Sequence, residues 1–179
     1  NNIITGTNNY INSGTNNACV YGRLGESTAE NSIVLGGNAP ADILGKRQSI
    51  HLLYGITTGD NTTNHSFLNN ITNSYFQAPE NTIFYFHAEI VAVRVGGLSE
   101  EGEVGDFASW VERGVVLRNG ETTTVSRERD AIKNSGAVEA WTPKGVMSGS
   151  NFTITCQGDR FMTIDWCSNI RITQLKTGL

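Results

Sequence analysis

The sequence has 179 residues, enough for one full domain and a small appendage. Only 17% of the residues are charged, 20 are glycine and 3 are proline, a balance more typical of an extracellular all-β protein than of a cytosolic helical enzyme. The net charge of −4, without a basic run, argues against nucleic-acid binding, and no apolar run is long enough to predict membrane insertion.

Four short units at the N-terminus each open with an asparagine and close with a glycine. Their closing glycines are 8, 8 and 14 residues apart. A single apolar stretch closed by a glycine turn cannot bury its apolar side alone, so each unit needs neighbouring coils or chains stacked on it. The units therefore predict a stacking element, and the apolar residues that need partners are Ile4, Ile11, Val20 and Ile33. The units are Asn2–Gly6, Asn9–Gly14, Asn17–Gly22 and Asn31–Gly36.

The last unit, with the residues before it, resembles a known repeat. The segment Ser27–Gly36 is similar to the head repeats of trimeric autotransporter adhesins and to the collars of bacteriophage fibres. Asparagine often stands where those families prefer serine or alanine. The resemblance implies a β-roll or collar-like trimerisation stem and neck over residues 1–45, ending where Pro40 and two glycines break the repeat.

Residues 46–179 read as a series of strands and tight turns. Thr82–Val95, without glycine or proline, predicts the central strand. Asn119-Gly120 predicts a hairpin between Asp106–Arg118 and Thr122–Ser126. Arg127–Lys133 reads as a single helical turn, and Thr57–Asn70 as a long polar loop. The fold class is therefore all-β, with an antiparallel β-sandwich or jelly-roll-like domain after the repeat. Further predicted strands are Gln48–Tyr54, Val138–Val146, Asn151–Cys156, Arg160–Trp166 and Asn169–Gln174.

The order of features in this second part resembles a C-terminal β-sandwich domain of tailed-phage fibre and virion-surface proteins. The features are the strand Phe84–Arg94, an acidic glycine-rich loop, the segment Ala108–Leu117, and the segments Phe152–Gly158 and Thr163–Trp166. The resemblance implies a homotrimeric fibre tip at the virion surface, used for host attachment or capsid decoration.

The sequence offers no recognisable catalytic or metal motif. The histidines His51, His65 and His87 lie in separate elements without metal-ligand spacing, so no metal and no cofactor are expected. Three cysteines form neither close pairs nor an even set, and Cys156 and Cys167 could pair only if their strands were neighbours.

Carboxylates are the remaining candidates for catalysis. Glu89, Asp106, Glu112 and Asp165 could converge as a glycosidase pair, but 17 carboxylates offer such pairs by chance. We therefore expect no catalytic residue and no enzymatic activity.

Binding of a glycan requires exposed polar groups for its hydroxyls and aromatic rings for its C–H faces. Asp60, Asn64 and His65 on the long loop are the polar candidates, and Tyr75 and Trp141 are the stacking candidates. Among the tryptophans, Trp110 and Trp166 read as core residues, while Trp141, near Pro143 and Gly145, reads as more open. The alternative is that the loop is a solvated connection.

The leading hypothesis is a non-enzymatic virion fibre or spike that forms a homotrimer and binds a host cell-surface receptor, most simply a glycan. Since the chain lacks an initiator Met and opens inside a repeat unit, we expect it to be a distal fragment joined to the rest of the virion through a missing N-terminal part. The alternatives are a capsid-decorating head fibre, a polysaccharide-depolymerising tailspike and, as a near neighbour, a bacterial trimeric adhesin.

Overall fold

A computed structural model describes residues 1–120 and 122–177 of the chain. Within this part every regular element is a β-strand, so the predicted all-β class is confirmed, and no helix is present that could cross a membrane. The strands are β1 (Ile3–Thr7), β2 (Tyr10–Ile11), β3 (Cys19–Arg23), β4 (Glu26–Ser27), β5 (Ile33–Gly37), β6 (Arg47–Thr58), β7 (Thr63–His65), β8 (Phe67–Leu68), β9 (Phe76–Gln77), β10 (Thr82–Gly97), β11 (Phe107–Asn119), β12 (Thr122–Asn134), β13 (Thr142–Ser148), β14 (Asn151–Gln157) and β15 (Met162–Lys176).

The N-terminal repeat forms a parallel roll. Strands β1, β3 and β5 pair side by side, and β2 pairs with β4 in a second, two-stranded sheet. Ile3 of β1 is paired with Cys19 of β3, and Cys19 with Ile33 of β5, so one coil runs from residue 3 to residue 19 and the next from residue 19 to residue 33. The unit Asn9–Gly14 is therefore the second side of the first coil, and the eight-residue spacing read from the sequence is half of a coil.

A ladder of glycines sets the spacing of these coils. Gly6, Gly22 and Gly36 are direct partners in the parallel pairing. A Cβ on Gly6 would lie 1.9 Å from the carbonyl oxygen of Gly22, and one on Gly22 would lie 2.2 Å from that of Gly36. Asparagine amides bridge the coils beside this ladder: Asn9 Oδ1 accepts from the Gly25 N–H at 2.8 Å, and Asn2 Oδ1 from the Ala18 N–H at 3.0 Å.

The roll continues directly into the sandwich. Strand β5 pairs antiparallel with β6, so one large sheet runs in the order β1-β3-β5-β6-β15-β10-β11-β12, with β8 added on β6. Residue 45, the predicted domain boundary, lies between β5 and β6, and the sheet is continuous across it. The division into two domains stays a prediction.

A smaller sheet covers one face of the large one. It has the order β13-β14-β7, with β9 also pairing with β14. Alternate residues of the long strands point to this second layer and form the core, and we call this side of the large sheet the inner face. Phe84 and Phe86 of β10 meet Phe152 of β14 there, with ring centroids 5.5 and 4.9 Å apart. Tyr54 joins the layers, because its hydroxyl donates to the Phe152 carbonyl oxygen at 2.8 Å.

Several local predictions were wrong. Arg127–Lys133 is part of strand β12 and not a helical turn, because all of its residues except Ile132, at an irregularity, pair with β11. The segments Arg160–Trp166 and Asn169–Gln174 are not separate strands, since β15 runs unbroken from Met162 to Lys176. The polar loop Thr57–Asn70 contains the short strands β7 and β8.

The cysteines are free thiols. Cys156 is buried in β14 of the small sheet, whereas Cys167 is exposed on β15 of the large sheet, so their strands are not neighbours. The pairing that the sequence left open does not occur.

Candidate functional site

The loop residues predicted to bind a glycan lie at and beside the edge of the small sheet. Asp60 and Asn64 both fold back on Thr62: Asp60 Oδ1 accepts from its N–H at 2.8 Å, and the Asn64 amide donates to its carbonyl oxygen at 2.9 Å. His65, the last residue of β7, packs edge-on against Tyr75, with ring centroids 6.5 Å apart. The structure thus brings His65 and Tyr75 together.

Phe67 completes this aromatic group and was missed at the sequence level. Its ring lies 5.5 Å from that of Tyr75, tilted by 56°. His65, Phe67 and Tyr75 are half-buried, so parts of all three rings face solvent. The available signal was a phenylalanine two residues from His65 in an otherwise polar stretch.

Trp141 does not belong to this group. It exposes 3% of its surface and its ring lies 6.0 Å from that of Trp166, which in turn stacks on Trp110 at 5.7 Å. The expectation that Trp141 is the most open of the three tryptophans is wrong, because the turn before β13 folds it into the core. Its ring offers no face for stacking on a sugar.

The side of the large sheet that faces away from the small sheet, here the outer face, is rich in apolar side chains. They come from the roll as well as from the sandwich, and the exposed fraction of each lies between 36% and 55%. So many exposed apolar side chains on one face of a sheet are unusual on a protein that functions as a single chain. The side chains are Ile3, Tyr21, Ile33, Leu35, Leu53, Ile83, Tyr85, Val91, Val93, Phe107, Val115, Leu117 and Leu175.

A transverse row of charged and polar groups divides the apolar residues of the outer face. His51, Arg171, His87 and Arg113 are successive cross-strand partners on β6, β15, β10 and β11. Arg113 forms ion pairs with Glu128 and Asp130 of β12, the latter at 3.2 Å. We call these four residues the polar row. It places four adjacent hydrogen-bonding groups across the strands of the outer face.

A different kind of site lies on the inner face, at the open side of the sandwich between β12 and β13. A cleft of about 360 Å³ has Glu112 of β11 at its base and is lined by Arg127, Glu128, Arg129, Thr142, Pro143 and Lys144. Glu112 exposes only 1% of its surface. We call this feature the Glu112 cleft.

The two carboxylate oxygens of Glu112 differ in their contacts. Oε1 accepts from the Gly145 N–H at 2.7 Å and lies 3.3 Å from Arg127 Nε, while Oε2 is buried without a partner among the described residues. Burial raises the pKa of Glu112, against the opposing effects of the Gly145 N–H and of Arg127, Arg129 and Lys144. A carboxyl group with a raised pKa in a surface cleft is a typical arrangement for proton transfer.

The other carboxylates considered at the sequence level do not join Glu112. Glu89 and Asp165 lie on the outer face, where Glu89 accepts from the Asn169 amide at 3.3 Å and Asp165 from the Thr57 hydroxyl at 2.6 Å. Asp106 accepts from the Glu103 N–H at 2.7 Å in the loop before β11. Among residues 1–120 and 122–177, no group of three His, Cys, Asp or Glu side chains is placed to hold a metal ion.

The sequence matches no protein-family model and no curated protein. Among solved structures, the chain is similar to the tailspike of Acinetobacter baumannii bacteriophage Fri1, a capsular polysaccharide depolymerase. The identity is 12%, the TM-score is 0.34, and the match covers 79% of this chain and 21% of that one.

Two further tailspikes show the same level of similarity. That of Acinetobacter baumannii phage AM24 has 11% identity and a TM-score of 0.35, covering 88% of this chain and 30% of that one. That of Acinetobacter phage vB_ApiP_P1 has 11% identity and a TM-score of 0.33, covering 98% and 39%. The chain therefore spans between about a fifth and two fifths of the length of these tailspikes.

The expectation that the chain is not an enzyme is corrected by this comparison, because the Fri1 tailspike is itself a depolymerase. Glu112 is one of the four carboxylates considered from the sequence as a glycosidase pair, and its burial and cationic surroundings could not be predicted from the spacing of carboxylates.

Proposed function

We propose that this chain is part of a bacteriophage receptor-binding spike, in which three copies associate through the outer face and the sandwich engages a bacterial surface polysaccharide. The observation that carries the proposal is the apolar outer face, which extends from Ile3 in the roll to Leu117 in the sandwich. A roll that continues into a sheet with one unburied apolar face suits a subunit of an elongated assembly.

Three copies would present three equivalent sugar sites on one particle. Binding of a repeating polysaccharide at several sites offsets the weak affinity of each single site, since the second contact is made at a high effective concentration. The half-buried rings of His65, Phe67 and Tyr75, beside the polar Asp60 and Asn64, supply the aromatic and hydrogen-bonding groups that sugars require.

Depolymerisation of the polysaccharide is a second candidate activity. The observation in its favour is Glu112, a buried carboxyl group with a raised pKa at the base of a cleft large enough for a sugar unit. The capsid-decorating role considered from the sequence has no comparable structural observation in its favour.

The test is adsorption of the fluorescently labelled protein to encapsulated bacteria and to their isolated capsular polysaccharide, with release of reducing ends measured in the same samples. We expect binding to some capsular types, reduced about tenfold by Tyr75→Ala through loss of ring contacts. Tyr10→Ala, at an exposed tyrosine of the roll, is the matched control and should bind normally. Failure to adsorb to any encapsulated strain of a broad panel would refute the proposal.

A further inference from the structure

The Glu112 cleft has a charge that differs from that of the chain as a whole. Its lining includes three cations, Arg127, Arg129 and Lys144, and two carboxylates, Glu112 and Glu128. The Glu128 carboxylate is already paired with Arg113 of the outer face, so the cations still exceed the unpaired carboxylates, although the chain carries a net charge of −4. All three act on the Glu112 carboxyl group strongly enough to oppose the rise of its pKa. A local excess of positive charge in a partly enclosed site favours an anionic ligand.

Much of the hydrogen-bonding capacity of these cations is unused. Arg127 contacts Glu112 through Nε at 3.3 Å, and its two terminal nitrogens have no partner among the described residues. Arg129 donates to the Pro143 carbonyl oxygen through Nη1 alone. Lys144 is exposed and forms no ion pair within the described part of the chain. A guanidinium group offers five N–H donors, arranged to hold a carboxylate through two of them.

A purely structural role explains part of this arrangement. β12 is the edge strand of the large sheet, and charged side chains on an edge prevent it from pairing with other chains. That role is served by a charge of either sign pointing in either direction. It does not explain why Arg127 and Arg129, two residues apart and therefore on the same side of β12, both point toward a buried carboxyl group with one unpartnered oxygen.

We propose that the Glu112 cleft binds the carboxylate group of an acidic polysaccharide, held between Lys144 and the free guanidinium nitrogens of Arg127 and Arg129. This inference rests on the proposed function, for which it names the substrate class. The Glu112 carboxylate holds Arg127 in position through its contact at the base of the cleft. Because Glu112 is buried, the base of the cleft presents no exposed negative charge to the ligand. The cleft volume of about 360 Å³ suits one or two sugar units.

The probes are a short oligogalacturonate and a neutral malto-oligosaccharide of equal length, with binding measured by calorimetry at low and high salt. We expect the acidic probe to bind and the neutral probe to bind at least tenfold more weakly. Raising the salt concentration should weaken binding of the acidic probe, because the ligand carboxylates compete with other anions for the cations.

Variants assign the binding to the cleft. Lys144→Gln removes an exposed cation without an ion pair, so the fold is retained, and binding of the acidic probe should fall about tenfold. Arg129→Gln should lower it as well. Arg160→Gln, which removes an exposed charge in the turn between β14 and β15, is the control and should bind as the unsubstituted chain does.

Equal binding of the acidic and neutral probes would overturn the inference, as would equal losses in Lys144→Gln and Arg160→Gln. If Lys144→Gln still adsorbs to encapsulated cells as the unsubstituted chain does, the inference fails while the proposed function stands. If the unsubstituted chain adsorbs to no encapsulated cells, the proposed function itself fails.

Discussion

Phe84 and Tyr85 are neighbours in β10, yet Phe84 is fully buried on the inner face while Tyr85 exposes 41% of its surface on the outer face. Both faces carry apolar side chains along the long strands, but only the inner one is covered, by β13, β14 and their neighbours. The difference shows that this chain completes one hydrophobic interface by itself, and it supports the proposal that other copies of the chain cover the second.

The largest effect is expected from damage to the covered face. Phe152→Ala removes a ring packed against both Phe84 and Phe86, and should lower the free energy of unfolding by about 3–5 kcal/mol. Phe161→Ala, at a ring that is mostly exposed, should change it by about 0.5 kcal/mol or less. Denaturant unfolding measures both, and equal losses in the two variants would contradict the assignment of the inner face as the core.

We expect a charge placed on the outer face to affect the association of the chains and not the folding of each chain. Val91→Asp places a charge in the middle of this face, so we expect the oligomer to dissociate into folded subunits, with the β-sheet circular dichroism signal retained. Val104→Asp, at an exposed loop position away from the face, is the matched control and should keep the mass of the unsubstituted protein. An unchanged mass for Val91→Asp would show that the outer face is not the contact.

Substitutions of glycine in the roll test whether close contact between the coils limits the stability of the protein. Gly22→Ala places a Cβ against the Gly36 carbonyl oxygen at a residue with a φ of +92°, and should cost roughly 2 kcal/mol or more. Gly14→Ala has a similar φ of +87° but no atom within 4 Å of the added Cβ, so it should cost only about 1 kcal/mol. Thermal unfolding compares the two, and equal effects would mean that coil contact is not limiting.

The smallest effect concerns Glu112, an ionisable group on the covered face. Its raised pKa means that the folded protein binds this proton more tightly than the unfolded chain does. The resulting contribution to stability is present below the unfolded pKa and is lost as the pH rises through the folded pKa. Glu112→Gln should therefore abolish a decline in the free energy of unfolding that begins as the pH rises above the ordinary glutamate pKa of 4.5. Glu128→Gln, on the outer face, should keep this decline.

The strand framework could be read from the sequence because its signals are local. The alternation from Thr82 to Val95 and the Asn119-Gly120 turn predicted β10 and the hairpin of β11 and β12. Arg127–Lys133 was misread because its charged residues have little strand propensity, whereas pairing with β11 determines its conformation. The length of a coil depends on which asparagine-glycine units stack on each other. This stacking is a contact between units and cannot be read from the sequence of any single unit.

Less of the candidate site than of the strand framework could be predicted from the sequence. His65 and Tyr75 were named as separate candidates, and their contact was not predicted. The burial of Trp141 depends on its contact with Trp166, 25 residues further along the chain. The Glu112 cleft is formed by β11, β12 and β13, and its cations are spaced like ordinary solvated charges in the sequence. Only the two-layer packing shows that they meet at a buried carboxyl group.

The central claim, that the outer face is covered by other copies of this chain, is tested most directly by the mass in solution, measured by light scattering after size exclusion. The account predicts a particle of three chains, each of 19.4 kDa, that persists on dilution. A monomer at all concentrations would contradict it and would leave the apolar outer face without a partner.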